Sequence, residues 1–202
     1  MKVLVACEYS GRVRDAFTRR GHDAISCDLL PSEEEGNHIQ GDVLEVIQNQ
    51  HFDLMIAHPP CTYLAHSGVR WLHEDESRWP RLDEASRFFN SLLDAPIEQI
   101  CVENPVPHRY AIERIGGRKY TQLIQPWQFG HKERKATCLW LKNLSPLEPT
   151  SNLKQEMMEL SYKQRSRIHW LPPSEDRWKE RSRTYLGIAE AVSDQWSFES
   201  TR

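Results

Sequence analysis

Short apolar runs in the first 105 residues alternate with segments of helical spacing, and each run ends on a polar cluster. Apolar runs this short read as strands buried on both faces, and strands separated by helices build parallel βαβ units. The runs predict strands over 2–7, 23–27, 52–57 and 99–102, with helices over 13–20, 44–50 and 82–94 between them. Gly21 closes the first helix as a C-terminal glycine. The expected fold class is α/β, with a doubly wound and mostly parallel sheet.

In such a sheet, ligands sit beyond the carboxyl ends of the strands. That edge collects Glu8-Tyr9-Ser10-Gly11, Asp28, Asp42, Pro59-Pro60-Cys61 and Glu103-Asn104. Polar groups gathered at successive strand ends on one edge are the arrangement of an enzyme. From Gly116 onward the pattern changes to a strand over 139–141, a helix over 152–160 and a basic run at Lys163-Gln164-Arg165-Ser166-Arg167. A last helix over 188–196 is apolar on one face. No repeat, low-complexity tract or linker divides the chain, so a single domain over 1–202 is expected.

Composition narrows the classes. Hydrophobic residues make up 39% and charged residues 27%, which suits a globular protein and not a disordered one. No run approaches the length of a membrane span, and no apolar stretch behind a basic start marks a signal peptide. A cytoplasmic protein with no membrane partner is expected. The five cysteines are scattered without a C-x-x-C pair, which predicts free thiols in a reducing compartment and no metal site. The net charge of −3 gives no global attraction to nucleic acid, so binding DNA would need a local basic face. The tryptophans are expected in the core and against the sheet.

Pro59-Pro60-Cys61 is the most informative tripeptide. Two prolines stiffen the turn and remove two N–H donors, holding a thiolate where it can attack a ligand. Alone, such a cysteine reads as well as a structural thiol beside a turn. Glu103-Asn104-Pro105 follows the next strand, where burial can hold a carboxyl group protonated as a proton donor. Its plainer role would be a helix cap or a loop ion pair. His58, His66 and His73 flank Cys61, but no third orienting group or oxyanion motif supports a Cys-His hydrolase.

The two motifs together resemble the DNA cytosine-5 methyltransferases. Ser67-Gly68 resembles the start of that family's mobile loop. Residues 5–11 stand where the family has its glycine-rich cofactor turn, although Gly11 is the one glycine kept. Asp28, followed by Leu29, matches the acidic residue at the cofactor ribose, and Gly41-Asp42-Val43 resembles the motif at the adenine. Ser182-Arg183-Thr184-Tyr185-Leu186-Gly187-Ile188-Ala189 resembles the last family motif, with Thr184 at the cofactor pocket. The family's Q-x-R-x-R is partly echoed by His131-Lys132-Glu133-Arg134-Lys135, with Arg134 in the middle position and Ala136 where the last arginine would fall. The large recognition domain has no counterpart beyond a reduced segment over 144–181.

The resemblance implies a Rossmann-like fold, S-adenosylmethionine as methyl donor with S-adenosylhomocysteine as product, and DNA as substrate. Cys61 adds to ring carbon 6 of cytosine, Glu103 serves ring nitrogen 3, and Arg134 contacts the target base. Cys7, Glu8, Tyr9, Ser10, Gly11, Asp28, Leu29, Asp42, Val43, Pro59 and Thr184 hold the cofactor. Pro60, Ser67, Gly68, Asn104, Pro105, Lys132, Lys135, Arg165 and Arg167 face the substrate. With so little recognition surface, specificity is expected to be short or relaxed, or supplied by a protein partner. A free pyrimidine nucleotide or single-stranded DNA as substrate, transfer of a group other than methyl, and a binder without turnover all stay open.

Overall fold

The chain runs through β1 (Lys2–Ala6), α1 (Arg12–Arg19), β2 (Asp23–Asp28), β3 (His38–Gln40), α2 (Val43–Asn49) and β4 (Leu54–Ala57). It continues with α3 (Trp71–Glu74), α4 (Arg78–Leu93), β5 (Gln99–Pro105), α5 (Arg109–Arg114), β6 (Gln122–Ile124) and β7 (Thr137–Lys142). The last elements are α6 (Lys154–Glu159), α7 (Tyr162–Arg165), α8 (Arg177–Ser182) and α9 (Leu186–Gln195). This is a computed structural model that describes residues 1–197.

Seven strands form one sheet in the order β3-β2-β1-β4-β5-β7-β6. Pairing is parallel from β3 to β5, and β7 runs antiparallel to both β5 and β6. Two reversals leave β6 parallel to β5, so β7 alone is inverted. The doubly wound, mostly parallel sheet expected from the sequence is the one observed.

Side-chain alternation sorts each strand between two cores. Leu4, Ala6, Met55, Ala57, Ile100 and Val102 pack in a cluster with buried residues of α2, α4 and α5. Val3, Val5, Leu54, Ile56, Cys101 and Leu139 pack in a second cluster with Val13 and Phe17 of α1 and Ile188 and Val192 of α9. A central sheet with a helical layer on each face follows. The turn of chain reversal at β1–β4 lies between these layers, which is the switch point where open α/β sheets bind ligands.

Several elements differ from the sequence expectation. The short strands β3 and β6 carry too few residues for a period-2 signal. β5 runs on to Pro105 because β7 pairs alongside it, with Glu103 opposite Leu139 and Pro105 opposite Thr137. The core assignment of the tryptophans holds for Trp140 and Trp196 and fails for Trp71, Trp170 and Trp178, which are exposed. All three exposed rings lie on short helices or turns outside the sheet layers.

Arg14 is an unusual core residue. Its buried guanidinium donates to Ser26 and Ser32 hydroxyls and to the Glu34 and Glu35 carbonyls, and pairs with Asp15 at 2.7 Å. This ties the acidic loop after β2 to α1. A buried charge needs such saturation, since an unpaired one is strongly destabilising.

The close approach of α9 to the loop before β7 depends on Gly187, where a Cβ would fall 1.9 Å from the Phe129 carbonyl oxygen. Gly187→Ala must push the helix off that backbone, whereas Gly21, at φ +82, meets nothing within 4 Å. We expect Gly187→Ala to lower unfolding free energy by about 3 kcal/mol. Gly21→Ala should lower it by about 1–2 kcal/mol, the left-handed strain alone. Denaturant titration of both variants compares them directly.

Candidate active site

Register sets the site. Ala6, Ala57 and Val102 stand in one row across β1, β4 and β5, because Ala6 pairs with Ala57 and Ala57 with Val102. The next residues along these strands are Cys7, His58 and Glu103. Alternation puts His58 on the same face as Ile56 and Glu103 on the same face as Cys101, and Ile56 and Cys101 are partners. The two side chains therefore meet, with His58 Nδ1 at 3.0 Å from Glu103 Oε2.

Cys7 adopts φ 57, a left-handed conformation rare outside glycine. The turn breaks the alternation of β1 and brings Cys7 against the cluster beneath α2 and α4. Glu8 then reaches under α1, where its carboxylate accepts from the Val13 amide at 2.8 Å and the Arg14 amide at 3.1 Å. Gly11 precedes the helix at φ 71 and offers no side-chain cap, so Glu8 satisfies those amides in its place.

The second proline-flanked turn is held from β5. Asn104 is buried and its Nδ2 donates to the Pro59 carbonyl at 2.9 Å. Beyond Cys61, the amide of Ala65 donates to the Cys61 carbonyl, and His108 anchors the loop by donating from its own amide to Leu64 and contacting the Tyr63 carbonyl at 2.8 Å. Cys61 is thus fixed on both sides by the segment following β5.

These groups wall a cleft of about 120 Å³, lined by Cys7 to Ser10, His58 to Cys61, Glu103 to Pro105, Lys135 and the strap from Arg181 to Thr184. A second, largely apolar cavity of about 30 Å³ lies between the sheet, α1 and α9 and shares His58, Glu103, Lys135, Ser182 and Thr184 with the first.

Of the predicted catalytic residues, Cys61 and Glu103 line the cleft and Arg134 does not; the neighbouring Lys135 takes its place on the wall. Among predicted cofactor residues, Cys7, Glu8, Tyr9, Ser10, Pro59 and Thr184 line it. Gly11 lies just outside, against Arg14. Asp28, Leu29, Asp42 and Val43 also lie outside it, along the β2–β3 side of the same edge. Asp28 accepts from the Leu30 amide at 2.9 Å, and Asp42 caps α2 through the Leu44 amide at 2.8 Å. Val43 is buried in the core, so only its backbone can face a ligand. Leu29 is 74% exposed, an apolar side chain left open beside an acid at a strand end.

Among predicted substrate residues, Pro60, Asn104, Pro105 and Lys135 line the cleft, while Ser67, Gly68, Lys132, Arg165 and Arg167 do not. Arg167 is matched by Glu133 at 3.2 Å, and Glu133 also accepts from the Tyr185 hydroxyl. The Arg165 guanidinium turns to the Met158 carbonyl within its own segment. Arg181 lines the cleft without any expectation from the sequence, and Ser182 and Arg183, which open the motif over Ser182 to Ala189, line it together with Thr184.

The strap carrying these residues is tied down at several points. Arg183 pairs bidentately with Glu33, the Tyr9 hydroxyl meets Ser182 at 2.8 Å, and Arg12 donates to the Thr184 carbonyl at 2.8 Å. Lys135 donates to the Arg181 carbonyl at 2.8 Å. Burial alone pushes Glu103 up, but the His58 hydrogen bond, the His58 charge and Lys135 bring it below the usual carboxylate range. Burial likewise pushes His58 down, and Glu103 with Glu8 more than reverses this, so its net direction is up. Cys61 stands open to the cleft, yet the protein around its sulfur, with the Glu103 charge second, raises its pKa against the opposing pull of Lys135 and Arg181.

Among the described residues no group of three or more His, Cys, Asp and Glu side chains is placed to hold a metal ion, and no helix is long and apolar enough to cross a membrane. No protein-family model and no curated protein matches the sequence. Solved structures do resemble it. A protein described as a DNA modification methyltransferase encoded within an E. coli prophage aligns at TM-score 0.43 and 15% identity, over 69% of this chain and 45% of that one. The Entamoeba histolytica methyltransferase EhMeth aligns at TM-score 0.47 and 14% identity, over 74% and 57%. The S. pombe Dnmt2 methyltransferase aligns at TM-score 0.42 and 15% identity, over 88% and 61%. This chain thus spans about half the length of the proteins it resembles. The chain has a Rossmann-like α/β fold, with the β7 strand inverted between β5 and β6.

The charges around Cys61 give opposite signs to two substitutions. Lys135→Met removes a cation that favours the thiolate and should slow alkylation by iodoacetamide at pH 8 by about threefold. Glu103→Gln removes a charge that disfavours it and should speed the same reaction by about threefold, since one pKa unit is a tenfold change in thiolate. Peptide mass spectrometry against time reads both, and Cys61 should react first, since Cys27, Cys101 and Cys138 are buried.

Proposed function

We propose that the protein is an S-adenosylmethionine-dependent methyltransferase acting on cytosine in DNA, with Cys61 as nucleophile and Glu103 at ring nitrogen 3. The observation carrying this is that Cys61 and Glu103, from adjacent strand ends, line one cleft with Cys7 to Ser10 of the turn after β1. A binding module needs neither a thiol nor an acid there.

The residues present fit the cofactor. Asp28 and Asp42 each commit one carboxylate oxygen to a local amide and leave the other for ribose or adenine, and exposed Leu29 offers an apolar face for the ring. The backbone turn at Cys7 and the Thr184 strap bound the inner end. S-adenosylmethionine, when bound, supplies an electrophilic methyl group to ring carbon 5.

The chain's own residues do the rest. The Cys61 sulfur bonds to ring carbon 6 and the ring's electrons move toward nitrogen 3, where the Glu103 carboxyl delivers a proton. Loss of the carbon-5 proton to solvent, expulsion of the Cys61 thiolate and return of the nitrogen-3 proton to the Glu103 carboxylate restore the neutral aromatic ring and the starting acid. Lys135 and Arg181 favour the thiolate and suit the phosphate next to the base. A base stacked in a duplex must first be flipped into the cleft, at a cost of a few kcal/mol. Residues 144–181 are the reduced recognition segment in this reading, which leaves specificity short or supplied by a partner.

A second substrate, a free pyrimidine nucleotide or single-stranded DNA, is favoured by the placement of both cations inside the cleft and not on an outer face. Transfer of tritiated methyl to mixed DNA should label cytosine, and Cys61→Ser should lower the rate at least about 10³-fold. Glu103→Gln should lower it about 10²-fold. Stronger competition by a nucleotide than by duplex would move the assignment to the second substrate. Cofactor binding with no label on any pyrimidine would sink the catalytic reading.

A further inference from the structure

We propose that His58 is a positioning residue for Glu103: its Nδ1 holds one carboxylate oxygen and the pair shares a single proton, which keeps the carboxyl group oriented and able to donate. This rests on the cytosine-addition reading of the same cleft. Three structural facts carry it. The parallel register of β4 and β5 puts the two side chains on one face, Nδ1 and Oε2 are 3.0 Å apart, and both groups are largely enclosed, at 13% and 22% side-chain exposure.

The Glu103 carboxylate forms no other hydrogen bond among the described residues, so His58 alone sets its angle. The imidazole Nε2 is buried without a partner among the described residues. His58 is faced by Glu103 from β5, by Glu8 from the turn after β1 and by Lys135 from the segment before β7. Glu8 is committed to the α1 amides, which leaves Glu103 as the carboxylate able to exchange a proton with the ring.

With the His58 hydrogen bond and charge beside it, and Lys135 third, Glu103 is drawn below its usual range and is the carboxylate member of the pair. His58, drawn up, retains the shared proton. Transfer breaks the Nδ1–H bond and forms an O–H bond on Glu103; the N–H electron pair stays on Nδ1, leaving a neutral imidazole and a carboxylic acid. The acid then gives the proton to ring nitrogen as the Cys61 sulfur bonds to carbon 6. The geometry thus resolves a conflict in the site: the carboxyl group must be an acid, yet its cationic surroundings favour the anion.

The test follows the His58 ring by 15N NMR against pH in full-length protein labelled at histidine, with His58→Asn used to assign its signals. We expect a midpoint above the ordinary 6.5 in the wild type. It should fall by about one unit or more in Glu103→Gln, a tenfold loss of proton affinity. A wild-type midpoint at or below the ordinary value, or one that does not move in Glu103→Gln, overturns the proposal. Neither reading needs methyl transfer, so failure of the cytosine reading is seen separately. Where transfer is measured, His58→Asn should lower kcat with KM kept, and bring the alkaline limb of the kcat profile about one unit lower. An alkaline limb left in place overturns the assignment as well.

Discussion

The pairing of Ile56 with Cys101 across β4 and β5 governs the chemistry available to this protein. Two residues further along each strand, on the same face, stand His58 and Glu103. A slip of one residue in either strand would turn one of them into the opposite core and separate the pair. Because both strands are buried between helical layers, such a slip would also exchange Leu54 and Ile56 for Met55 and Ala57 across the sheet. The hydrophobic cores therefore enforce the polar geometry at the strand ends. The small side chains of Ala6 and Ala57 just before the edge leave room for the bulkier groups that follow.

The cleft is finished by the C-terminal part of the chain. The inverted strand β7 carries the chain back along β5 and delivers Lys135 beside Glu103, since Thr137 pairs with Pro105. The strap between α8 and α9 then crosses to the far side and meets the turn after β1 through Tyr9, Arg12 and Glu33. Much of this attachment is polar and partly exposed, in contrast to the apolar packing of α9 on α1. Exposed ion pairs contribute little each, typically below about 1 kcal/mol. The strap is therefore less firmly held than the sheet it covers, which suits a wall that a substrate must pass.

Much of this was legible in the sequence. The short apolar runs, the helices between them and the polar edge followed from periodicity, and the P-P-C and E-N-P motifs both fall on the cleft. What could not be read depends on contacts distant along the chain. Arg14 looks like a surface residue of an amphipathic helix, and only the folded acidic loop makes it a buried hub. The run over 163–167 looks like a free basic patch, but Glu133 and the segment's own carbonyls take up Arg167 and Arg165. Glu8 reads as a ligand residue, and it lines the cleft while also capping a helix whose glycine start has no side chain to do so. His58 was visible beside Cys61, but its partnership with Glu103 exists only through the parallel register.

Two buried polar atoms of the site, His58 Nε2 and Asn104 Oδ1, have no hydrogen-bond partner among the described residues. Both belong to side chains whose other end is occupied: Nδ1 by Glu103, Nδ2 by the Pro59 carbonyl. One contact fixes Glu103 and the other fixes the turn that carries Cys61. Neither residue can be replaced by an apolar one of similar shape without releasing the group it holds. Cys61 and Glu103 are thus fixed from two adjacent strands by polar contacts whose geometry the surrounding core enforces.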